Sequence, residues 1–258
     1  MPELLFLFAL STLLSSFGPD ANVVRRAMEA RYRHAATLQA VFYERFSDGK
    51  GGGQAESGTV YFSRPGRMRW EYESPQKQLF LVDGQNVWFY VPADHAASRA
   101  KMNESSDWRT PIALLAGKTD LGRLCRNISL VEPPNGAEGT SASRAGDRPM
   151  TFAGASGRDP GLGERALTPG DAVLRCVPRQ ASDARGAAPG EAMADILLET
   201  DAHGYLVRVV VRQPGNLATE FRFGNWQENI PIPESKFHFE APPGVSIVDE
   251  QSLLGELY

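Results

Sequence analysis

The chain is poor in the residues from which metal and redox centres are built. Its 258 residues include two cysteines and four histidines, and neither a CxxC nor an HExxH pair occurs. The histidines are scattered without the spacing of metal ligands: His34, His95, His203 and His238. The sequence therefore predicts neither a common metal site nor a bound cofactor.

Motifs for nucleotide binding and nucleophilic catalysis are also missing. There is no GxxxxGK[ST] phosphate-binding loop and no GxSxG nucleophile elbow. The nearest approach to the elbow is the GASG run at Gly154, which has no strand-turn-helix pattern around it. Because the members of a Ser-His-Asp triad meet only in space, a lipid hydrolase stays as a remote alternative to a protein that is not an enzyme.

The chain has no excess of basic charge. Its formal net charge is -4 at pH 7 and its pI is about 5.7. A nucleic-acid-binding protein needs a basic face to displace counterions from phosphates, and attachment to an anionic membrane surface needs a basic run. Both classes of protein are disfavoured.

The N-terminus is apolar, but its apolar run is short. Leu4–Leu14 is too short to span a bilayer, and it is followed by Ser15, Ser16 and Gly18. This pattern predicts a secretory signal peptide over residues 1–18 and an exported protein. Since Met1–Glu3 lacks the usual positive charge, a misassigned start or a membrane anchor stays open.

What the chain does have is two-residue alternation of large apolar side chains. In Arg67–Glu73, three apolar residues point one way and four charged residues point the other: Met68, Trp70 and Tyr72 against Arg67, Arg69, Glu71 and Glu73. This is the period of a strand with one apolar and one solvated face. Gln78–Val82 and Asn86–Val91 flank the turn-forming pair Asp83-Gly84, which predicts an antiparallel hairpin.

Helical spacing occurs in two places. From Asn22 to Ala36, apolar residues recur every three to four positions, which predicts an amphipathic helix. Thr110–Gly117 has a proline in its first turn and a glycine at its end, which predicts a short helix. This second helix is nearly all apolar and is therefore expected to lie against an apolar surface.

Most of the remaining chain is predicted to form strands. They are Leu38–Phe42, Gly58–Ser63, Leu124–Val131, Ala172–Val177, Asp195–Thr200, Tyr205–Val211, Leu217–Phe223 and Lys236–Phe239. In Tyr205–Val211 the charged Arg208 falls on the side opposite the apolar stripe. We expect a mainly β protein with one sheet around a few helices. Its apolar face either closes into an ordinary core or leaves a cavity for a hydrophobic ligand.

The two cysteines flank an irregular stretch. Residues 132–170 are rich in Gly, Ala, Ser and Pro and show no sustained period, so we interpret them as an insertion between the neighbouring strands Leu124–Val131 and Ala172–Val177. Cys125 and Cys176 lie in these strands. Export to an oxidising compartment would permit a disulfide between them, and two buried free thiols are the alternative.

Four motifs, in this order, resemble the LolA family of periplasmic outer-membrane lipoprotein carriers in Gram-negative bacteria. They are RPGRMRW from Arg64, DGQNVWFY from Asp83, TPIALLAG from Thr110 and FHFEAPPGVSIVD from Phe237. Each motif is weak alone, and their common order is more specific. The insertion and the cysteine pair depart from the family pattern.

This resemblance implies a carrier domain over residues 22–258. The expected fold is α+β, an incomplete, strongly curved antiparallel β-barrel with helices as a lid over an apolar cavity. The cavity takes the acyl chains of lipoproteins. The family receives them from an inner-membrane lipoprotein-releasing ABC transporter and passes them to an outer-membrane acceptor. The resemblance further implies a monomer that works in the periplasm without a cofactor.

The resemblance also implies roles for individual residues. Arg64 matches the family arginine that holds the lid helix, here at Leu115, Ala116 and Gly117. The acyl-chain cavity is expected to be lined by six residues: Tyr32, Leu38, Met68, Trp70, Ile112 and Leu115.

Two other functions are compatible with the same fold. A similar domain in periplasmic regulators senses lipoproteins and binds an anti-sigma factor. Those regulators carry a second C-terminal domain, whereas this sequence stops at Tyr258, which favours the carrier. A related protein that carries a glycolipid is the other alternative, and its sequence would look the same.

Overall fold

The structure of the protein is a computed structural model. It describes residues 20–48, 53–101, 115–117, 120–131, 164, 166–179 and 195–249. The predicted signal peptide and most of the predicted insertion lie outside these residues. Within the described chain, no helix has both the length and the apolar character needed to cross a membrane. In the same residues, no three His, Cys, Asp or Glu side chains are placed to hold a metal ion.

The described strands form a single, strongly curved sheet. Their bounds are β1 Thr37–Ser47, β2 Gly53–Ser63, β3 Arg67–Ser74, β4 Gln78–Val82, β5 Asn86–Val91, β6 Ala96–Lys101, β7 Cys125–Val131, β8 Ala172–Pro178, β9 Asp195–Thr200, β10 Leu206–Arg212, β11 Ala218–Glu228 and β12 Ser246–Asp249. The strand order is β12-β6-β5-β4-β3-β2-β1-β11-β10-β9-β8-β7. The prediction of one mainly β sheet is confirmed.

Pairing within the sheet is antiparallel except at one edge. Most neighbouring strands are also neighbours in sequence, and the pair β1–β11 joins the N-terminal to the C-terminal group of strands. The exception is β12, which pairs in parallel with β6 and was not predicted from the sequence. The resulting sheet has an inner face, which carries the helices, and an outer face.

Two helices are described, and the longer one packs on the inner face. Helix α1 (Ala21–Arg33) begins after Asp20, whose carboxylate accepts a hydrogen bond from the Asn22 N–H at 3.1 Å. Its buried residues are Val24, Met28 and Tyr32, as the three-to-four spacing predicts. Helix α2 (Leu121–Leu124) is a single turn that leads into β7.

The hairpin β4–β5 forms where it was predicted. The Asp83 carboxylate accepts hydrogen bonds from the backbone N–H groups of Gln85 and Asn86 at 2.8 and 2.7 Å, and from the indole of Trp88 at 3.0 Å. Gly84 has a φ of +103°, which residues with a side chain rarely adopt. Together, the aspartate and the glycine specify this turn.

A disulfide joins strands β7 and β8. Cys125 and Cys176 are bonded to each other, and both are buried. The two strands pair antiparallel, as predicted, although the segment between them includes most of the predicted insertion. The disulfide therefore closes a loop between residues that are 51 positions apart.

The outer face of the sheet is covered by the segment that follows β11. The prediction of a strand over Lys236–Phe239 is wrong, because Glu234–Phe237 form a 3₁₀ turn. Pro231 and Pro233 precede this turn and have no N–H for a strand ladder. The segment therefore lies across the sheet, and Phe237 packs in a second buried cluster with Leu79, Leu81 and Trp88.

Arg208, on the side of β10 opposite the apolar stripe, is buried and not solvated. Its side chain is 1% exposed, and its Nε lies 2.7 Å from a carboxylate oxygen of Glu199, which is fully buried. The segment around Leu167 covers this pair, since the Leu167 N–H donates to Glu199 at 2.6 Å. Burial raises the pKa of Glu199, although Arg208 and Leu167 oppose the shift. Two-residue alternation correctly predicts on which side of the sheet Arg208 lies. The residues that bury it on that side come from a segment that is distant in sequence.

Candidate functional site

The inner face of the sheet carries one continuous cluster of buried apolar side chains. Five of the six expected cavity residues belong to it, and none is more than 4% exposed: Tyr32, Leu38, Met68, Trp70 and Leu115. Ile112 lies outside the described residues. Most of the remaining members come from α1, α2 and strands β1–β4 and β7–β11. The cluster therefore extends across most of the curved sheet.

Trp70 lies within a group of aromatic rings on this face. Its ring centroid is 4.7 Å from that of Phe42 and 5.6 Å from that of Phe221, and both pairs meet edge-to-face. The rings of Phe62 and Phe223 lie at 6.4 and 6.1 Å. Such edge-to-face contacts are favourable beyond the area that they bury. Two-residue alternation brought Trp70 to this face, and the aromatic neighbours come from β1, β2 and β11.

The indole N–H groups of the buried tryptophans are not all satisfied. Trp226 donates to the Leu206 carbonyl at 2.9 Å, and Trp88 donates to Asp83 on the outer face. Trp70 Nε1 is buried and has no hydrogen-bond partner in the described part of the chain. The centre of the inner face therefore contains an unused donor.

Tyr32 anchors helix α1 to the sheet. Its hydroxyl oxygen accepts a hydrogen bond from the Leu206 N–H at 2.7 Å, and its ring lies 5.5 Å from that of Trp226. Burial raises the pKa of this hydroxyl, so it stays protonated at neutral pH. The residue combines an apolar contact with a fixed polar link between α1 and β10.

Arg64 lies beside the turn Leu115–Gly117. Its backbone N–H donates to the Ala36 carbonyl at 2.9 Å, and the neighbouring Gly66 N–H donates to the Ala116 carbonyl at 2.7 Å. A Cβ atom added to Gly117 would lie only 2.7 Å from Arg64 Nη2. The arginine, which was predicted to hold a lid at this turn, is therefore in direct contact with it. Thr110–Leu114, the rest of that predicted helix, lies outside the described residues.

The guanidinium group of Arg64 is partly desolvated. Burial lowers the pKa of Arg64 from its usual value, although an arginine stays charged at neutral pH. Its Nη1 atom is buried and has no hydrogen-bond partner among the residues that the structure describes. A buried charge with an unused donor is unfavourable. A group that supplies an oxygen acceptor to Arg64 Nη1 would therefore stabilise the site between Arg64 and the Leu115–Gly117 turn.

Glu29 connects the two helices at the edge of the cluster. One oxygen of its carboxylate accepts a hydrogen bond from the Leu121 N–H at 3.1 Å, and the other accepts one from Arg25 at 2.9 Å. Leu121 is the first residue of α2 and is fully buried. A displacement of α1 away from the sheet would therefore also break its contact with α2.

The sequence did not reveal a cleft of about 470 Å³ on the outer face. It lies between β3–β5 and the segment after β11, and its walls include Leu79, Tyr90 and Phe239. Arg69 and Lys236 also line it, at 2.6 and 3.3 Å from the Glu71 carboxylate. The signal was present in the run Leu79–Val82, whose unbroken apolar character predicts a strand that is covered on both faces.

Comparison with known proteins relates the chain to lipoprotein carriers. Residues 33–136 match the family described as "Outer membrane lipoprotein carrier protein LolA". An outer-membrane lipoprotein carrier protein of Nitrosomonas europaea is 35% identical over 124 residues, which are 48% of this chain and 59% of that protein. That of Nitrosospira multiformis is 27% identical over 202 residues, which are 76% of this chain and 74% of that protein.

A solved structure is also similar to the chain. It is the crystal structure of a LolA superfamily protein from Nitrosomonas europaea, which is 9% identical in sequence. The match covers 86% of this chain and 99% of that protein, with a TM-score of 0.42.

Proposed function

Because the chain belongs to the LolA family, we propose that it carries lipoproteins through the periplasm to the outer membrane. It takes the cargo from an inner-membrane lipoprotein-releasing ABC transporter and passes it to an acceptor at the outer membrane. It acts as a monomer, and neither a cofactor nor a covalent step is needed. The curated relatives named above carry the word "carrier" in their names, and the match spans 59% of the length of the first one.

The inner-face cluster is the observation that carries this proposal. Acyl chains gain roughly 0.8 kcal/mol for each CH₂ group that leaves water, and the cluster offers them a continuous apolar surface. Apolar contacts are not directional, so the cargo can slide and leave again. A surface of this kind suits a protein that must bind a lipid and later release it.

Uptake of an acyl chain requires the inner face to open. Leu38, Phe42 and Leu115 have no exposed surface, so a lipid has to separate α1 or the Leu115–Gly117 turn from the sheet. We assign the closed arrangement to the cargo-free protein and an opened one to the loaded protein. Arg64 stabilises the closed arrangement through its contact with the turn.

The disulfide supports the location that we propose. Disulfides persist in oxidising compartments such as the bacterial periplasm and are rare in the cytosol. Cys125 and Cys176 are bonded and buried, which fits a protein that folds after export. The predicted signal peptide at residues 1–18 would direct this export.

Native mass spectrometry tests the proposed function. The protein is purified gently from the periplasm and then incubated with membranes that contain lipoproteins and the release machinery. We expect a one-to-one complex with a triacylated lipoprotein. Bound glycolipid alone would favour a carrier of glycolipids, and a protein that acquires no apolar ligand would contradict the proposal.

A further inference from the structure

The unused donor at Trp70 is unusual for the inner-face cluster. Trp70 is 1% exposed, and the four rings around it belong to phenylalanines, which have no oxygen or nitrogen acceptor. A buried donor without an acceptor destabilises a protein. A phenylalanine would provide an aromatic ring without this donor. Among the residues that the structure describes, no acceptor offsets the burial of this donor.

Three other polar aromatic side chains on the same face have hydrogen-bond partners. The hydroxyl of Tyr32 accepts from Leu206 at 2.7 Å, the hydroxyl of Tyr72 donates to Glu44 at 2.7 Å, and the indole of Trp226 donates to Leu206 at 2.9 Å. Buried Trp N–H groups usually find such partners. The exception at Trp70 indicates that its acceptor arrives with a ligand.

We propose that Trp70 Nε1 donates a hydrogen bond to an ester carbonyl of a bound diacylglyceryl lipid. This inference rests on the proposed function, in which the inner face binds acyl chains. An ester carbonyl is the first hydrogen-bond acceptor at the end of an acyl hydrocarbon chain. A tryptophan suits this junction because its ring is apolar and its N–H is polar, as in the aromatic belts of membrane proteins.

The position of Trp70 on β3 sets the depth of the lipid. Trp70 is the fourth residue of the strand, whose first residue, Arg67, follows the corner at Arg64. At about 3.3 Å per residue, Trp70 lies about 10 Å along β3 from Arg67. The ester junction is thus placed within the inner-face cluster, to which Trp70 belongs.

Nuclear magnetic resonance of the tryptophan indole groups tests this assignment on the intact protein. The three ligands are a diacyl lipopeptide with ester linkages, its dialkyl counterpart with ether linkages, and a diester phospholipid. We expect the Trp70 indole proton to move downfield with both ester lipids and not with the ether lipid. The indole protons of Trp88 and Trp226 are internal controls, since their donors are already bonded.

Affinity measurements give a second readout. Because Trp70→Phe also removes apolar contact, it should weaken binding of both lipopeptides. Loss of one neutral hydrogen bond should weaken binding of the ester lipopeptide about three- to ten-fold more than that of the ether lipopeptide. Equal effects on both lipopeptides, or no movement of the Trp70 resonance in a saturated complex, would overturn the assignment.

The ligand panel separates this inference from the proposed function. Suppose that the phospholipid binds and moves the Trp70 resonance but neither lipopeptide binds. This result would support the hydrogen bond from Trp70 to an ester carbonyl and contradict the proposal that the cargo is a lipoprotein. If none of the three lipids binds, both are overturned.

Discussion

The guanidinium group of Arg64 lies directly against the backbone of Gly117. A Cβ atom at residue 117 would be 2.7 Å from Nη2 and 2.9 Å from Cζ of this arginine. Gly117 also has a φ of +74°, a left-handed conformation that residues with a side chain avoid. The backbone conformation therefore favours a glycine at this position, and a side chain here would have to displace the guanidinium group of Arg64.

Gly117→Ala should disturb this contact and open the inner face more readily. The strained backbone alone costs about 1–2 kcal/mol, and the clash with Arg64 adds to it. We expect a lower free energy of unfolding in urea and faster uptake of a fluorescent lipopeptide. The matched control is Gly244→Ala, because Gly244 has a φ of +82° and open space where its Cβ would be. Equal losses of stability in the two variants, with wild-type uptake in both, would show that the Arg64 contact is unimportant.

Arg64→Leu should leave the fold intact and impair the release of cargo. Without the guanidinium group the closed arrangement loses a stabilising contact, so the opened, loaded arrangement is favoured. We expect more lipoprotein to stay bound and slower transfer to outer-membrane acceptor protein, measured with purified components. Arg99→Leu is the matched control, because Arg99 is a partly exposed arginine on β6, next to the edge strand β12, and it pairs with Asp249. A normal transfer rate for Arg64→Leu would contradict the role that we assign to this arginine.

The turn at Asp83 should make stability depend on pH. Burial by itself raises the pKa of Asp83, but hydrogen bonds from Asn86, Trp88 and Gln85 outweigh it and hold this pKa below its ordinary value. A depressed pKa in the folded state means that the stabilisation is complete above the unfolded value of about 3.9 and is lost as the pH falls through the folded value.

Asp83→Asn measures this contribution. We expect the substitution to lower the free energy of unfolding by about 1–3 kcal/mol at pH 7. The difference from wild type should shrink below about pH 4, where the wild-type carboxyl becomes protonated. Urea titrations between pH 3 and 7 provide the comparison, and Asp94→Asn in the exposed turn after β5 is the control. A difference that is constant across this range would refute the electrostatic explanation.

The Cys125–Cys176 disulfide should contribute strongly to stability. A disulfide that closes a loop of 51 residues lowers the conformational entropy of the unfolded chain. In the loop-entropy model this raises the free energy of unfolding by about 4 kcal/mol. The double variant Cys125→Ala/Cys176→Ala should lose about this amount in urea unfolding, and unfolding in the presence of dithiothreitol should destabilise the wild type similarly. The double variant should be insensitive to the reductant. A wild type that is equally stable with and without reductant would show that the bond is absent.

Much of the inner face could be predicted from the sequence because its signals are local. Alternation in β3 and the three-to-four spacing in α1 identify the side that each element buries. The pair Asp83-Gly84 specifies a turn through one side chain and one backbone conformation. These features depend on residues only a few positions apart, so they can be read without the rest of the chain.

Only the tertiary structure decided what covers the outer face and which polar groups find partners. Arg208 is buried because Glu199 and the segment at Leu167 meet it there, and Leu79 is buried because the segment with Phe237 crosses its strand. The unused donor of Trp70 likewise becomes visible only when its neighbours are in place. The spacing of side chains along one strand determines which face they occupy, whereas burial and hydrogen bonding depend on contacts between segments that are far apart in sequence.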